Sequence, residues 1–292
     1  MTKLASAPIA FLMGIGCVPV VAPPPSAFPS ARAAIDRMRA TPSCGTGVQA
    51  AAKIDHAGDR GRLRGDLLLI VSRPDRIRMD VVSPFGITLA TLTSDGDRFA
   101  LADLQDHHFY EGPSSACNIA RLTSVPLPAR VLVNLLRGVA PVVEHQPGAA
   151  SIIWNTRGYY TIQIAGVQAS ETIQLVPHPD DWNKPWEEQR VRVLEVSVSQ
   201  QRWVLYQATL DEHGTAHTAK PRVDPDAVEA DIPPSGGACA AELPKKIHLQ
   251  VPEQSDDVRL RYSEATWNPP LPDGIFVQTM AAGMKRVRVD CH

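Results

Sequence analysis

The chain has 292 residues, with 29 Lys and Arg against 31 Asp and Glu, a formal net charge of −2, 26 prolines and 19 glycines. No basic run is dense enough to neutralise several phosphates, which excludes the electrostatic footprint of a nucleic-acid binder. The many turn-forming residues, beside an ordinary 44% of hydrophobic residues, favour a β-rich protein of one large domain or two small ones.

Residues 1–16 read as an export signal: Lys3 gives a positive start, Ile9–Ile15 is a short apolar stretch, and small residues lead directly into Cys17. The stretch is too short to span a bilayer, and the best later candidate, Val131–Val143, is interrupted by Asn134, Arg137 and Pro141. The pattern resembles a lipoprotein signal, in which Gly16 fits and Gly14 stands where leucine is usual. That resemblance implies acylation of Cys17. Residues 18–29 (VPVVAPPPSAFP) carry no charge and predict an extended tether, followed by a single, monomeric body over 30–292.

Ser30 is an N-cap for a helix over Ala31–Ala40, with Ile35 and Met38 on one face and Thr41-Pro42 as its stop. Strands follow. In Arg76–Val82, Ile77, Met79 and Val81 alternate with Arg76, Arg78 and Asp80, the period-two signature of a half-buried strand. Leu63–Val71 repeats it less cleanly. Ile87–Thr93 and Arg98–Ala102 flank Ser94-Asp95-Gly96-Asp97, a hairpin cue. Pro126 and Pro128 then precede a helix whose Val131, Leu132, Leu135 and Leu136 share one face and which Gly138 ends. Further strands are expected over Ile152–Trp154, Tyr159–Ile164, Thr172–Val176, Val191–Val198 and Trp203–Leu210. The acidic, proline-rich residues 211–242 read as a long loop. Ile247–Val251, Val258–Tyr262 and Phe276–Thr279 close the series.

Besides Cys17 the chain has Cys44, Cys117, Cys239 and Cys291. An even number in an exported chain predicts two disulfides, and no Cys/His spacing suggests a metal site. Three connectivities are open. Cys44 with Cys117 and Cys239 with Cys291 is favoured because each pair stays within one half of the chain.

No GxSxG, Walker, HExxH or GxGxxG string is present, so neither an enzyme nor a cofactor is expected. His107 and His108 are adjacent and would face opposite sides of a strand. The segment 178–188 (HPDDWNKPWEE) groups Asp180, Asp181, Glu187 and Glu188 with Trp182 and Trp186, and suits a solvated loop better than a ligand site. The stripe from Val131 to Leu136 has two readings, the core side of a helix or a lid over an apolar cavity.

The run from Leu63 to Pro141 resembles the LolA/LolB family of lipoprotein carriers and outer-membrane receptors. The resemblance lies in the strand RLRGDLLLIV, then RIRMDV, the turn Ser83-Pro84-Phe85-Gly86, Asp95-Gly96, HHFYEG, Val125-Pro126-Leu127-Pro128 and the helix ending Leu136-Arg137-Gly138. Leu243-Pro244-Lys245-Lys246-Ile247 and TWNPPLPDGIF are similar to the family's closing strands.

The resemblance implies a mainly β fold: an open, highly curved antiparallel sheet, an incomplete barrel with a helical lid. Its cavity would hold acyl chains of lipoproteins or another lipid against Ile77, Met79, Val81, Leu89, Val131, Leu132, Leu135 and Leu136. The resembling receptors carry a protruding leucine at the place of Phe85, which implies that Pro84, Phe85 and Gly86 push cargo into the outer membrane. A periplasmic carrier or envelope complex is the expected partner. The rival expectation is a structural or assembly lipoprotein with a filled cavity that acts as a partner-binding module. An envelope hydrolase ranks last. A cavity above roughly 300 Å³ separates the first two.

Overall fold

The computed structural model describes residues 20–59, 61–123, 125–218 and 235–291. The expected signal, Cys17 and part of the acidic segment lie outside the described residues. Helix α1 (Ala31–Ala40) starts as expected, with Ser30 Oγ accepting from the Ala33 N–H at 3.1 Å, and buries Ile35 and Met38. Six strands follow: β1 (Gly47–Gly58), β2 (Gly61–Ser72), β3 (Arg76–Val82), β4 (Thr88–Ser94), β5 (Arg98–Asp103) and β6 (His108–Pro113). Helices α2 (Ala116–Thr123) and α3 (Ala129–Leu136) separate them from the second half. There the strands are β7 (His145–Asn155), β8 (Tyr159–Gly166), β9 (Ser170–Pro177), β10 (Val191–Gln200), β11 (Trp203–Thr215), β12 (His217–Thr218), β13 (Glu242–Val251), β14 (Asp256–Trp267) and β15 (Lys285–Arg288).

All of these strands join one sheet, in the order β15-β6-β5-β4-β3-β2-β1-β14-β13-β11-β10-β9-β8-β7, with β12 paired to β14 outside that path. Pairing is antiparallel except for β15 with β6 and β12 with β14. The protein is thus mainly β, with one open, curled sheet around an apolar core, as expected. The period-two pattern explains which face is inside: Leu67, Leu69 and Val71 of β2 and Ile77 and Met79 of β3 are buried, while Arg62, Arg64 and Arg76 are exposed.

Antiparallel pairing sends alternate turns to opposite ends of the strands. One end, here the Phe85 end, carries the turns 83–87, 104–107, 167–169, 201–202 and 252–255. The other, the Cys44 end, carries the turns 73–75, 95–97 and 156–158 and the connection 178–190.

Several expectations are corrected. Two disulfides form, but they join Cys44 to Cys239 and Cys117 to Cys291. The reason is topological: β14 pairs with β1, and β15 lies beside β6, so distant parts of the chain meet. The segment 211–242 is not all loop, because β11 runs to Thr215; Asp211 faces Lys246 across the ladder, and Glu212 pairs with Lys246 and Arg261. Phe276–Thr279 is not a strand. Its Gln278 instead donates side-chain N–H bonds to Thr91 O and Ala100 O, and β15 does the closing.

The expected tether is docked over residues 20–29. The Val21 N–H donates to Thr156 O at 3.0 Å, and Trp154 Nε1 donates to Val21 O at 2.9 Å. Ser26 accepts from the Trp186 N–H and from Gln189 Nε2, and Phe28 is buried edge-on against Tyr160 and Trp186. Aromatic rings far away in sequence thus turn an uncharged, proline-rich spacer into a strap.

Candidate functional site

Helix α3 is short because Pro128 fixes its start and Gly138, at φ +77°, lets the chain turn away after it. Its buried face is Ala129, Leu132, Val133, Leu135 and Leu136. Leu132, Leu135 and Leu136 point into an apolar pocket of about 70 Å³. The pocket's other walls are Leu122 and Thr123 at the end of α2, Val125 from the α2–α3 connection, Ile54 of β1, Leu63 and Leu67 of β2, and Met79 and Val81 of β3. Ile247 and Leu249 of β13 and Val258 and Leu260 of β14 complete them. Only Thr123 has a polar side-chain atom. Apart from Leu67 and Met79, which sit at the middle of β2 and β3, the strand residues lie in the half of their strand nearest the Phe85 end, so the pocket lies toward that end.

Of the residues proposed from sequence, the structure brings Met79, Val81, Leu132, Leu135 and Leu136 together at the pocket. Ile77 is fully buried in the core away from it. Val131, expected on the buried face, is only half-buried, and Val133 is buried in its place. Leu89 falls at a bulge, where Val81 pairs with Ala90 and Val82 with Thr88; the inserted residue is half-buried and does not line the pocket. The β13 and β14 walls were invisible from local sequence, since only the sheet order brings them opposite β3. Ile54 was hidden by the alanines of β1.

Beside the pocket's mouth stands the turn between β3 and β4. The Gly86 N–H donates to Ser83 O at 2.9 Å and the Ile87 N–H to Ser83 Oγ at 3.1 Å. Gly86 has φ +80°, which favours glycine. These bonds leave the Phe85 ring 90% exposed, and Ile87 and Leu63 are exposed as well. Near the same end of β1, His56 is buried and bonds Asp256 Oδ1 through Nε2 at 2.8 Å.

The C-terminal end of α3 is pinned. Tyr262 Oη donates to Leu136 O at 2.9 Å, and Arg137 Nη2 donates to Gly45 O at 2.5 Å. Burial pushes the Tyr262 phenol far above its ordinary range. Burial, with the charge of Arg73, lowers the Arg137 guanidinium to about 10. The N-terminal end of α3 has no side-chain cap, but its Ala129 is buried and its Arg130 pairs with Asp75 at 3.9 Å.

Two buried carboxylates differ in their surroundings. Asp181 accepts from Arg190 and pairs with Lys184, and the Arg190 hydrogen bond holds it well below the usual carboxylate range. The segment 178–188 is therefore not simply solvated: Asp181 is buried, and Trp182 packs on Trp154. Glu171, in contrast, accepts only the Val143 N–H at 2.8 Å, its other oxygen has no partner, and burial raises it to about 7. Among the described residues, no group of three or more His, Cys, Asp and Glu could hold a metal ion, and no helix is long and apolar enough to cross a membrane.

No protein-family model matches the chain, and no curated protein matches it in sequence. Among solved structures it is similar to a LolA superfamily protein from Nitrosomonas europaea, at 9% identity and a TM-score of 0.46, over 85% of this chain and 98% of that one. It is similar to a DUF1329 family protein from Desulfovibrio piger at 8% identity and a TM-score of 0.49, over 84% and 96%. A domain from Vibrio parahaemolyticus described as an outer membrane lipoprotein-sorting protein is similar at 9% identity and a TM-score of 0.45, over 85% and 96%. Likeness at this level concerns the path of the backbone and names neither ligand nor partner.

Proposed function

We propose that the chain is a lipid-anchored envelope protein that takes an acyl chain, of a lipoprotein or another lipid, under α3 and passes it to the outer membrane. The observation that carries this reading is the pocket itself, lined by fourteen apolar side chains and one threonine under α3. The export signal read from residues 1–16 and the two disulfides support an oxidising compartment. The reading requires no catalytic group.

At about 70 Å³ the pocket falls short of the roughly 300 Å³ expected of an acyl-chain cavity, so this reading requires α3 to move. Exposing three leucines costs roughly 5–9 kcal/mol at about 1.5–3 kcal/mol each, while a dozen buried methylenes at about 0.8 kcal/mol each contribute about 10 kcal/mol. Ligand and lid are therefore nearly matched, which suits a carrier that must also release. The same small volume favours a second reading, in which the pocket stays filled and the protein holds a partner complex. Purification from the native membrane followed by mass spectrometry of bound lipid separates the two. An acyl lipid near one per protein, lost when Leu67→Trp fills the pocket, supports the carrier. No bound lipid and no uptake of a fluorescent fatty acid refute it.

A further inference from the structure

Twelve large apolar side chains are exposed on the described surface, and half of them share one end of the sheet. Leu63, Phe85, Ile87, Leu104, Val167 and Trp203 all lie in or beside turns of the Phe85 end, on both halves of the chain. At the Cys44 end the tight turns Arg73-Pro74-Asp75, Asp95-Gly96-Asp97 and Thr156-Arg157-Gly158 hold no large apolar residue, Trp182 and Trp186 of the connection 178–190 are half-buried against Trp154 and Phe28, and the exposed apolar residues are Val20 and Val21 of the strap and Ile153 of β7. Single exposed apolar residues need no explanation, but their segregation to one end does.

We infer that the Phe85 end docks onto a lipid bilayer, with Trp203 and Val167 of the second half making a contact separate from the Phe85 turn. This rests on the lipid-handling reading above for the direction of docking, because the pocket lies toward the same end. A lipid surface is the occupant that fits the residues. They stand on separate turns with polar neighbours between them, Gln201-Arg202 before Trp203 and Gln168 after Val167. A protein partner needs one contiguous, complementary patch, whereas the membrane interface accepts separate rings and aliphatic tips, each beside groups that stay among the headgroups. Trp203 is 63% exposed and amphipathic, the type of side chain that such an interface stabilises.

The other tryptophans make this testable. Trp154, Trp182 and Trp186 lie at the Cys44 end beneath or beside the strap, and Trp267 is fully buried. The full chain carrying Cys17→Ser, so that no anchor inserts, is mixed with phosphatidylethanolamine and phosphatidylglycerol vesicles whose acyl chains are brominated. Its fluorescence is expected to be quenched, and the quenching to vanish with Trp203→Phe although that protein still sediments with the vesicles. Trp203→Ser with Val167→Ser should weaken vesicle binding about tenfold with an unchanged melt. Equal quenching with and without Trp203 would place the Cys44 end in the lipid and overturn the inference, as would failure to sediment. Uptake of a fluorescent fatty acid, measured on the same proteins, keeps the two readings apart. Uptake without docking sinks this inference alone, and docking without uptake sinks the pocket reading alone.

Discussion

The two ends of the sheet are built from different chemistry. At the Cys44 end both disulfides fasten the chain: Cys44 and Cys239 precede β1 and β13, and Cys117 and Cys291 follow β6 and β15. Asn268 there accepts from the Thr46 N–H and donates to the carbonyls of Cys44 and Gly237, and Asp181 is doubly paired. The Phe85 end has the small pocket, an incompletely paired carboxylate and exposed apolar turns. A rigid clamp at one end lets the other hold groups that lower stability, since local openings draw on the weakest part of a fold.

Breaking the clamp should have the largest effect. Cys44→Ser with Cys239→Ser removes a bridge between residues 195 apart in sequence, and about 4 kcal/mol of stability should go with it. A urea melt reads this directly. A loss below about 1 kcal/mol would show that the Cys44 end is held by its hydrogen bonds and packing alone.

The two buried carboxylates give the next test. Glu171 has a folded value of about 7 against an ordinary 4.5. Below pH 4.5 it is protonated in both states and contributes no difference. Between 4.5 and about 7 the unfolded chain ionises first, so stability falls as pH rises, and above 7 the loss is complete at up to about 3 kcal/mol. Glu171→Gln should flatten that fall and raise the melting temperature above pH 7. Parallel melting curves of the two proteins from pH 4 to 9 would refute it.

A smaller change should separate lid from fold. Tyr262→Phe deletes the hydrogen bond to Leu136 O and should cost about 1 kcal/mol, while fatty-acid uptake becomes faster as α3 loosens. Unchanged uptake kinetics would mean that α3 does not gate the pocket.

How much of this was legible follows from the range of each interaction. β3 runs over the residues that its alternation marks, and α1 begins at the residue that Ser30 caps, because both signals are local. β1 escaped notice because two of its inward positions are Ala50 and Ala52, which leave no bulky alternation to read. The end of β11 looked like loop because its Glu212 finds its cations, Lys246 and Arg261, on β13 and β14. Disulfide pairing, strap docking and the far pocket wall all depend on sheet order. No residue spacing encodes that order.

The smallest effect on stability, and the most informative on function, is expected at Phe85. An aromatic ring in such a turn can either fold back on the sheet or stand out at the tip. The ring is 90% exposed, and a Cβ built on neighbouring Gly86 meets nothing within 4 Å, so the turn projects from the body. Phe85→Glu should therefore leave the melt within about 0.5 kcal/mol of the parent and leave fatty-acid uptake unchanged. A carboxylate at the tip is costly to bury in lipid, whereas the phenyl ring is favoured there, so transfer of a bound acyl chain to vesicles should slow several-fold. The strap complicates this usefully. Cys17 is three residues from Val20, at most about 11 Å of extended chain, and the strap is docked at the Cys44 end. An anchor at Cys17 with the strap in place would hold the Phe85 end away from its own membrane. Transfer assayed in trans, from the anchored protein to separate vesicles, should then show the Phe85→Glu defect most strongly. Equal transfer by parent and variant, with equal melts, would remove Phe85 from the delivery step, and a large fall in melting temperature would return its ring to the core.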